Sequence, residues 1–157
     1  MTNRVEAAYA RLHGMLKQAS EASDACPDGM YRNASVTVLV RESRTGVEGV
    51  LNLLDSDGRV MGQITDEEGA DCFELLQPAI LEVIVLDPDQ DRRESRFSAI
   101  MSFWAEYFRG IDSTLGGLVD DCQVTDAPER FVIQQVNGAK GARIRIDILL
   151  TAPTPLG

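Results

Sequence analysis

The sequence predicts an α+β fold, a mainly antiparallel sheet with two helices packed on one face. Three observations predict it. Two stretches carry apolar residues at helical spacing, and several others alternate or are β-branched between turn residues. The order runs helix, strands, helix, strands, without βαβ alternation or internal repeat. At 157 residues the chain has the size of one domain and can bury a core without disulfides or metals. The reading is a single unit, with an N-terminal helix and linker over 1–29 and a sheet with a central helix over 30–157.

The first helix is read from Thr2 to Ala19, capped by Thr2 or Asn3, with Val5, Ala8, Tyr9, Leu12 and Leu16 on one face. Ser20 to Gly29 is rich in Ser, Asp, Pro and Gly and reads as a linker. From Tyr31 to Val40, Val36, Val38 and Val40 point one way along an extended segment. Glu48 to Leu54 is a second strand. Asp55-Ser56-Asp57-Gly58 follows as turn chemistry, since Gly58 can take positive φ, and Arg59 to Ile64 reads as the returning arm of a hairpin. Thr65 to Asp71 is an acidic loop or a short helical turn. Ile80 to Leu86 is the most β-like run of the chain, and Pro78 upstream is placed at a strand start, an edge or a bulge because it lacks an N–H.

The second helix spans Arg92 to Gly110, with Phe97, Ile100, Met101, Trp104 and Phe108 on its apolar side. Five of the nine aromatic residues lie in it, which centres the expected core there. Asp89 or Asp91 is its cap, and Gly110 its C′ residue. Beyond the Asp112 to Leu118 loop, Val119 to Val124 and Arg130 to Val136 read as extended, and Asn137-Gly138 as a hairpin turn. In the last strand, Ala142 to Leu150, Ile144, Ile146 and Ile148 alternate with Arg143, Arg145 and Asp147. The second face of the sheet and its edges are then expected to be open to partners.

Composition narrows the function. A net charge of −10 and a pI near 4.5 oppose coating of nucleic acid, which needs clustered Lys and Arg. Cys26, Cys72 and Cys122 are odd in number and far apart, so they encode neither a disulfide framework nor a zinc site and point to a reducing compartment. The first residues do not read as a signal peptide, and no apolar run has the length of a membrane span.

No catalytic constellation is signalled. His13, the single histidine, has no nucleophile paired with it in the pattern, so no triad is assigned. Asp87, Asp89 and Asp91 have D-x-D-x-D spacing, yet Arg92 and Ser98 stand where a calcium loop needs Gly and a bidentate Glu. Asp55-Ser56-Asp57-Gly58-Arg59 fails the same test. Gly116-Gly117 lacks the lysine of a phosphate loop, and Asp120-Asp121 would point to opposite faces of a strand. The expectation is therefore no enzyme, no cofactor and no metal.

Four stretches together resemble the tail terminator proteins of long-tailed phages and gene transfer agents. They are Tyr31-Arg32-Asn33, Ala79 to Gly110, the run Asp112-Ser113-Thr114-Leu115-Gly116-Gly117-Leu118, and the ending Thr151 to Gly157. The most specific is D-x-T-L-G-G-L directly after the amphipathic helix. The resemblance implies a virion protein, assembled in the host cytoplasm. It forms a hexameric ring with copies of itself on the head-proximal end of the tail tube, ends tube growth and offers a head-attachment surface. The implied partners are the tail tube protein and a head-tail connector or head completion protein, with DNA only passing through the lumen and no membrane contact. A connector or other neck protein of the same particle is the alternative, and a small enzyme or metal-binding domain a more distant one. The loops Asp87 to Asp91 and Asp112 to Leu118 are the expected interface or lumen residues. Some of Asp55, Asp57, Asp66, Glu67, Glu68, Asp87, Asp89 and Asp91 are expected to line the bore.

Overall fold

The computed structural model describes residues 3–35, 49–133 and 138–157. Among these residues two helices, α1 (Arg4–Glu21) and α2 (Gln90–Arg109), pack on one face of a seven-stranded sheet. Its strands are β1 (Met30–Arg32), β2 (Gly49–Asp55), β3 (Arg59–Thr65), β4 (Asp71–Leu86), β5 (Asp121–Val124), β6 (Glu129–Val132) and β7 (Ala139–Ala152). All pairings are antiparallel except β1 with β2, as the expected α+β class requires.

Two long strands carry the sheet. β4 and β7 pair from Phe73 opposite Ala152 to Leu86 opposite Ala139. Alternate residues of each turn toward the helices, so Leu75, Leu81, Val83 and Val85 meet Ile144, Ile146, Ile148 and Leu150 in one buried layer. Val5, Ala8, Tyr9, Leu12 and Leu16 of α1 and Phe97, Ile100 and Trp104 of α2 close the same core. The core is shared between the helices rather than centred on α2 alone. Asn3 caps α1 by accepting from the Glu6 N–H, and Asp89 caps α2 by accepting from the Arg92 N–H. Gly110 does end α2, but at φ −102°, so the left-handed turn expected of it is not used.

The turn at Asp55 to Gly58 does not make the expected hairpin. β2 pairs with β4 from Ala79 to Val85, and β3 pairs with the same edge of β4 from Asp71 to Leu76. The two strands therefore run in line along β4, and Gly58 is not among the left-handed residues. Pro78 explains the offset. Its carbonyl accepts from the Ser56 N–H at 3.1 Å and from the Tyr9 hydroxyl at 2.8 Å, so its N-side faces the stretch between β2 and β3 where no ladder bond is required. A proline expected at a start, edge or bulge thus sits inside a central strand. Burial pushes the Tyr9 phenol up to about 12, with the Asp55 charge adding to it. β5 and β6 repeat the arrangement on the free edge of β7.

The remaining expectations divide. β7 is longer than the predicted Ala142 to Leu150, and the acidic stretch after β3 is the turn of the β3–β4 hairpin, where Asp66 Oδ1 accepts from the Glu68 and Ala70 N–H groups. Val36, Val38 and Val40, the Glu48 start of β2, the end of the Arg130 to Val136 segment, Asn137 and Thr2 lie outside the described residues. Gly138, at φ +88°, approaches so close to Asp87 that a Cβ would stand 2.5 Å from the Asp87 carbonyl oxygen, and only glycine fits there.

The second sheet face is not uniformly open. Over β2 and the C-terminal half of β4, Val50 and Ile84 are buried beside Asn52 and Glu82. Asn52 Nδ2 donates to Glu82 Oε1 at 3.0 Å and to the Ala34 carbonyl at 2.8 Å, while Arg143 Nε donates to Glu82 Oε2 at 3.1 Å. Arg143 also lies 4.4 Å from the Phe131 ring centre. Every polar atom of the buried Glu82 carboxylate is therefore engaged.

Candidate functional site

The Asp112 to Leu118 loop folds as one hydrogen-bonded unit. Asp112 Oδ1 accepts from Thr114 Oγ1 at 2.7 Å and from the Thr114 N–H at 3.0 Å, and its Oδ2 accepts from the Gly116 N–H at 2.9 Å. These bonds, the Thr114 hydroxyl first, hold the Asp112 carboxyl below the usual range. Thr114 Oγ1 in turn accepts from the Gly117 N–H. Leu115, Gly116 and Gly117 take φ of +49°, +74° and +86°, which explains two glycines in succession. Leu115 accepts its strained backbone because its side chain is fully buried in the core. Leu115 is therefore not a contact residue, contrary to expectation. Gly116, Gly117 and Leu118 form the exposed crest, with Arg11 of α1 lying against Gly116.

The Asp87 to Asp91 loop differs from its expected role at one residue. Asp87 is only 4% exposed, with Arg92 Nε and Nη2 both 3.0 Å from its carboxylate and Arg96 at 3.6 Å. The Arg92 guanidinium, with the Asp89 N–H, holds the Asp87 carboxyl below the usual range. A buried, doubly paired carboxylate presents no charge to a bore. Asp89 and Asp91 stay exposed, one as cap and one in the first turn.

The acids expected in one lumen fall at two ends of the molecule. Asp66, Glu67 and Glu68 are exposed at the tip of the β3–β4 hairpin, while Asp87 to Asp91 follow the far end of the 16-residue β4. At a rise of about 3.3 Å per residue that separation is about 50 Å. Asp55 is tied to Arg32 at 3.1 Å, and Asp57 is exposed. No cluster of three or more His, Cys, Asp or Glu groups suited to a metal occurs among the described residues. His13 Nε2 lies 3.0 Å from the Met30 carbonyl and ties α1 to β1. Asp120 and Asp121 diverge, accepting from Thr151 and Gln123 respectively. Burial raises the Cys26 thiol to about 11 and the Cys122 thiol to about 12, values at which neither is a thiolate near neutral pH.

Two features escaped the sequence reading. One is β3, which is exposed along nearly its whole length and presents Val60, Met61 and Ile64 to solvent, each 46–48% exposed. The other is a groove of about 620 Å³ between the C-terminal part of α2 and the β5 flank. Neither protein-family models nor curated proteins give any match to this chain. No helix among the described residues is long and apolar enough to cross a membrane.

Proposed function

We propose that the chain is a non-enzymatic ring subunit that caps the head-proximal end of a phage-like tail tube, ends tube growth and offers a surface for head attachment. The observation that carries this reading is that the sheet has two unpaired flanks among the described residues, β1 and β3 on one side and β5 with β6 on the other. A subunit with contact surfaces on opposite flanks can meet a neighbour on each side, which is the requirement for a closed ring of heterologous contacts. The resemblance around Asp112 to Leu118 supplies the particle type, and that run is a single structured loop with an exposed crest. Glu67 and Glu68 at the hairpin tip are the acids proposed for the bore. Asp89 and Asp91 are set aside because Arg92, Arg93 and Arg96 follow directly after them, and a basic bore would hold DNA rather than let it slide.

Removing the gene from its particle tests the reading. Tails of uncontrolled length are the expected result. Tails of ordinary length without heads would replace it with the connector or neck reading. Native mass spectrometry showing only monomer at every concentration, with purified tail tube protein present, would remove both.

A further inference from the structure

The groove beside α2 lies along an unpaired strand edge. Met101, Trp104, Phe108, Ile111, Val124 and Pro128 wall it, so its sides come from the C-terminal end of α2 and from β5 with the turn after it. β5 ends the strand path and pairs only with β7, at Asp121 to Val124, which leaves its outer N–H and C=O groups with no strand beside them among the described residues. A helix wall, an apolar floor and an open edge side by side are what an extended segment needs to add as a further strand. Its backbone bonds to the edge, and every second side chain turns into the groove.

The surrounding charge selects the chemistry of that segment. Glu106, Asp112, Asp121 and Asp126 each stand within two residues of a lining residue, and all but Asp121 are exposed. Arg109 is the one charged lining residue among the described residues, and Glu106 at 3.4 Å already offsets it. Arg145, the cation that Asp126 acts on, is bonded to Asp147 at 2.8 Å. The rim therefore keeps a surplus of negative charge, which attracts Lys and Arg and repels phosphate-bearing nucleic acid or lipid. A second copy of the chain would bring a further net charge of −10.

The geometry points to this groove as the docking site for an extended, basic and apolar segment of a different protein. The segment adds to the β5 edge, seats alternate apolar side chains between Met101, Phe108 and Val124, and sets Lys or Arg at its ends against Glu106, Asp112, Asp121 and Asp126. Met101, Phe108 and Val124 are only half-buried in the free chain, so apolar surface remains for the segment to cover. β6, with Val132 70% exposed, stays available beside it, as do β1 and β3 on the far flank, so the inference does not rest on the ring reading.

The probe is a set of short peptides, Lys-Lys-Z-Thr-Z-Thr-Z-Lys-Lys with Z drawn from Val, Ile, Leu and Phe. Each is titrated into the full chain while the emission of Trp104, the single tryptophan and a lining residue of the groove, is followed. At least one member is expected to bind with a Kd below about 100 μM at low salt. Its affinity is expected to fall at least tenfold when glutamates replace its lysines, and to fall in salt of about 0.5 M. Ala105→Arg fills the groove at an exposed helical position with a good helix former, and is expected to weaken binding at least tenfold with an unchanged unfolding midpoint. Glu106→Gln combined with Asp126→Asn leaves the groove open and is expected to weaken binding about threefold or more. Of two forms of the best binder N-methylated at alternate residues, one is expected to keep its affinity and the other to lose at least tenfold, because an added strand bonds through every second N–H. A set in which no member binds, glutamate peptides that bind equally well, affinity untouched by either variant, or two N-methylated forms of equal affinity would each overturn the proposal.

Discussion

The two halves of β4 have opposite fates. From Ala79 to Val85 the strand pairs with β2, whose residues Gly49 to Leu53 are all buried, and both faces are buried, one against the helices and the other at Val50, Asn52, Glu82 and Ile84. From Asp71 to Leu76 it pairs with β3, which is exposed at six of seven positions. The first half holds the fold together. The second projects an apolar edge, and its difference from the first teaches that contact surface here is the sheet continued beyond its covering.

Substitutions should separate the halves by size of effect. Trp104→Ala, under the closed half, is expected to cost about 3–5 kcal/mol, and Leu81→Ala about 2–5 kcal/mol, measured by urea unfolding. A loss below about 1 kcal/mol for Trp104 would mean that its helix face serves contact rather than core. Glu82→Ala leaves Asn52 Nδ2 and Arg143 without their buried acceptor, and a loss of about 1.5–3 kcal/mol is expected from the same measurement. A neutral result would remove the polar layer from the account of the closed face.

Acid titration sharpens the contrast further. The folded values of Asp87 and Asp112 lie below the ordinary one of about 3.9, so the unfolded chain binds more protons between the two. Their contribution is present above that ordinary value and is lost as pH falls through the depressed folded values. The unfolding midpoint of Asp112→Asn should therefore fall less steeply than wild type below about pH 4. Parallel curves would show that the loop bonds do not favour the ionised form. The smallest effect belongs to the open half, where Ile64→Thr should change stability by no more than about 0.5 kcal/mol. A larger loss would show that β3 is packed in solution.

Both helices were legible in the sequence because an α-helix repeats its buried face every three to four residues, and Val5, Ala8, Tyr9, Leu12 and Leu16 keep that spacing without interruption. The alternation of Ile144, Ile146 and Ile148 fixed the inward face of β7 for a similar reason. The D-x-T-L-G-G-L run was visible as a motif, but not the split within it, where Leu115 goes to the core and Gly116 to Leu118 to the surface. Left-handed backbone at Leu115 is what reverses that side chain, and no spacing rule signals it.

What the sequence determined by itself was therefore local, namely the helices, their caps, the alternating strand and the acidic surface. Only the tertiary structure decided which strand lies beside which. Asp55 to Gly58 has the same turn chemistry whether the chain doubles back or steps along, and the choice fell to the far-off Pro78, whose missing donor leaves a gap that Ser56 to Gly58 can cross. The same long-range pairing buried Asp87 beneath Arg92 and left Val60, Met61 and Ile64 uncovered. Burial depends on what arrives from elsewhere in the chain, so neither the groove nor the exposure of β3 could be read from neighbours in sequence.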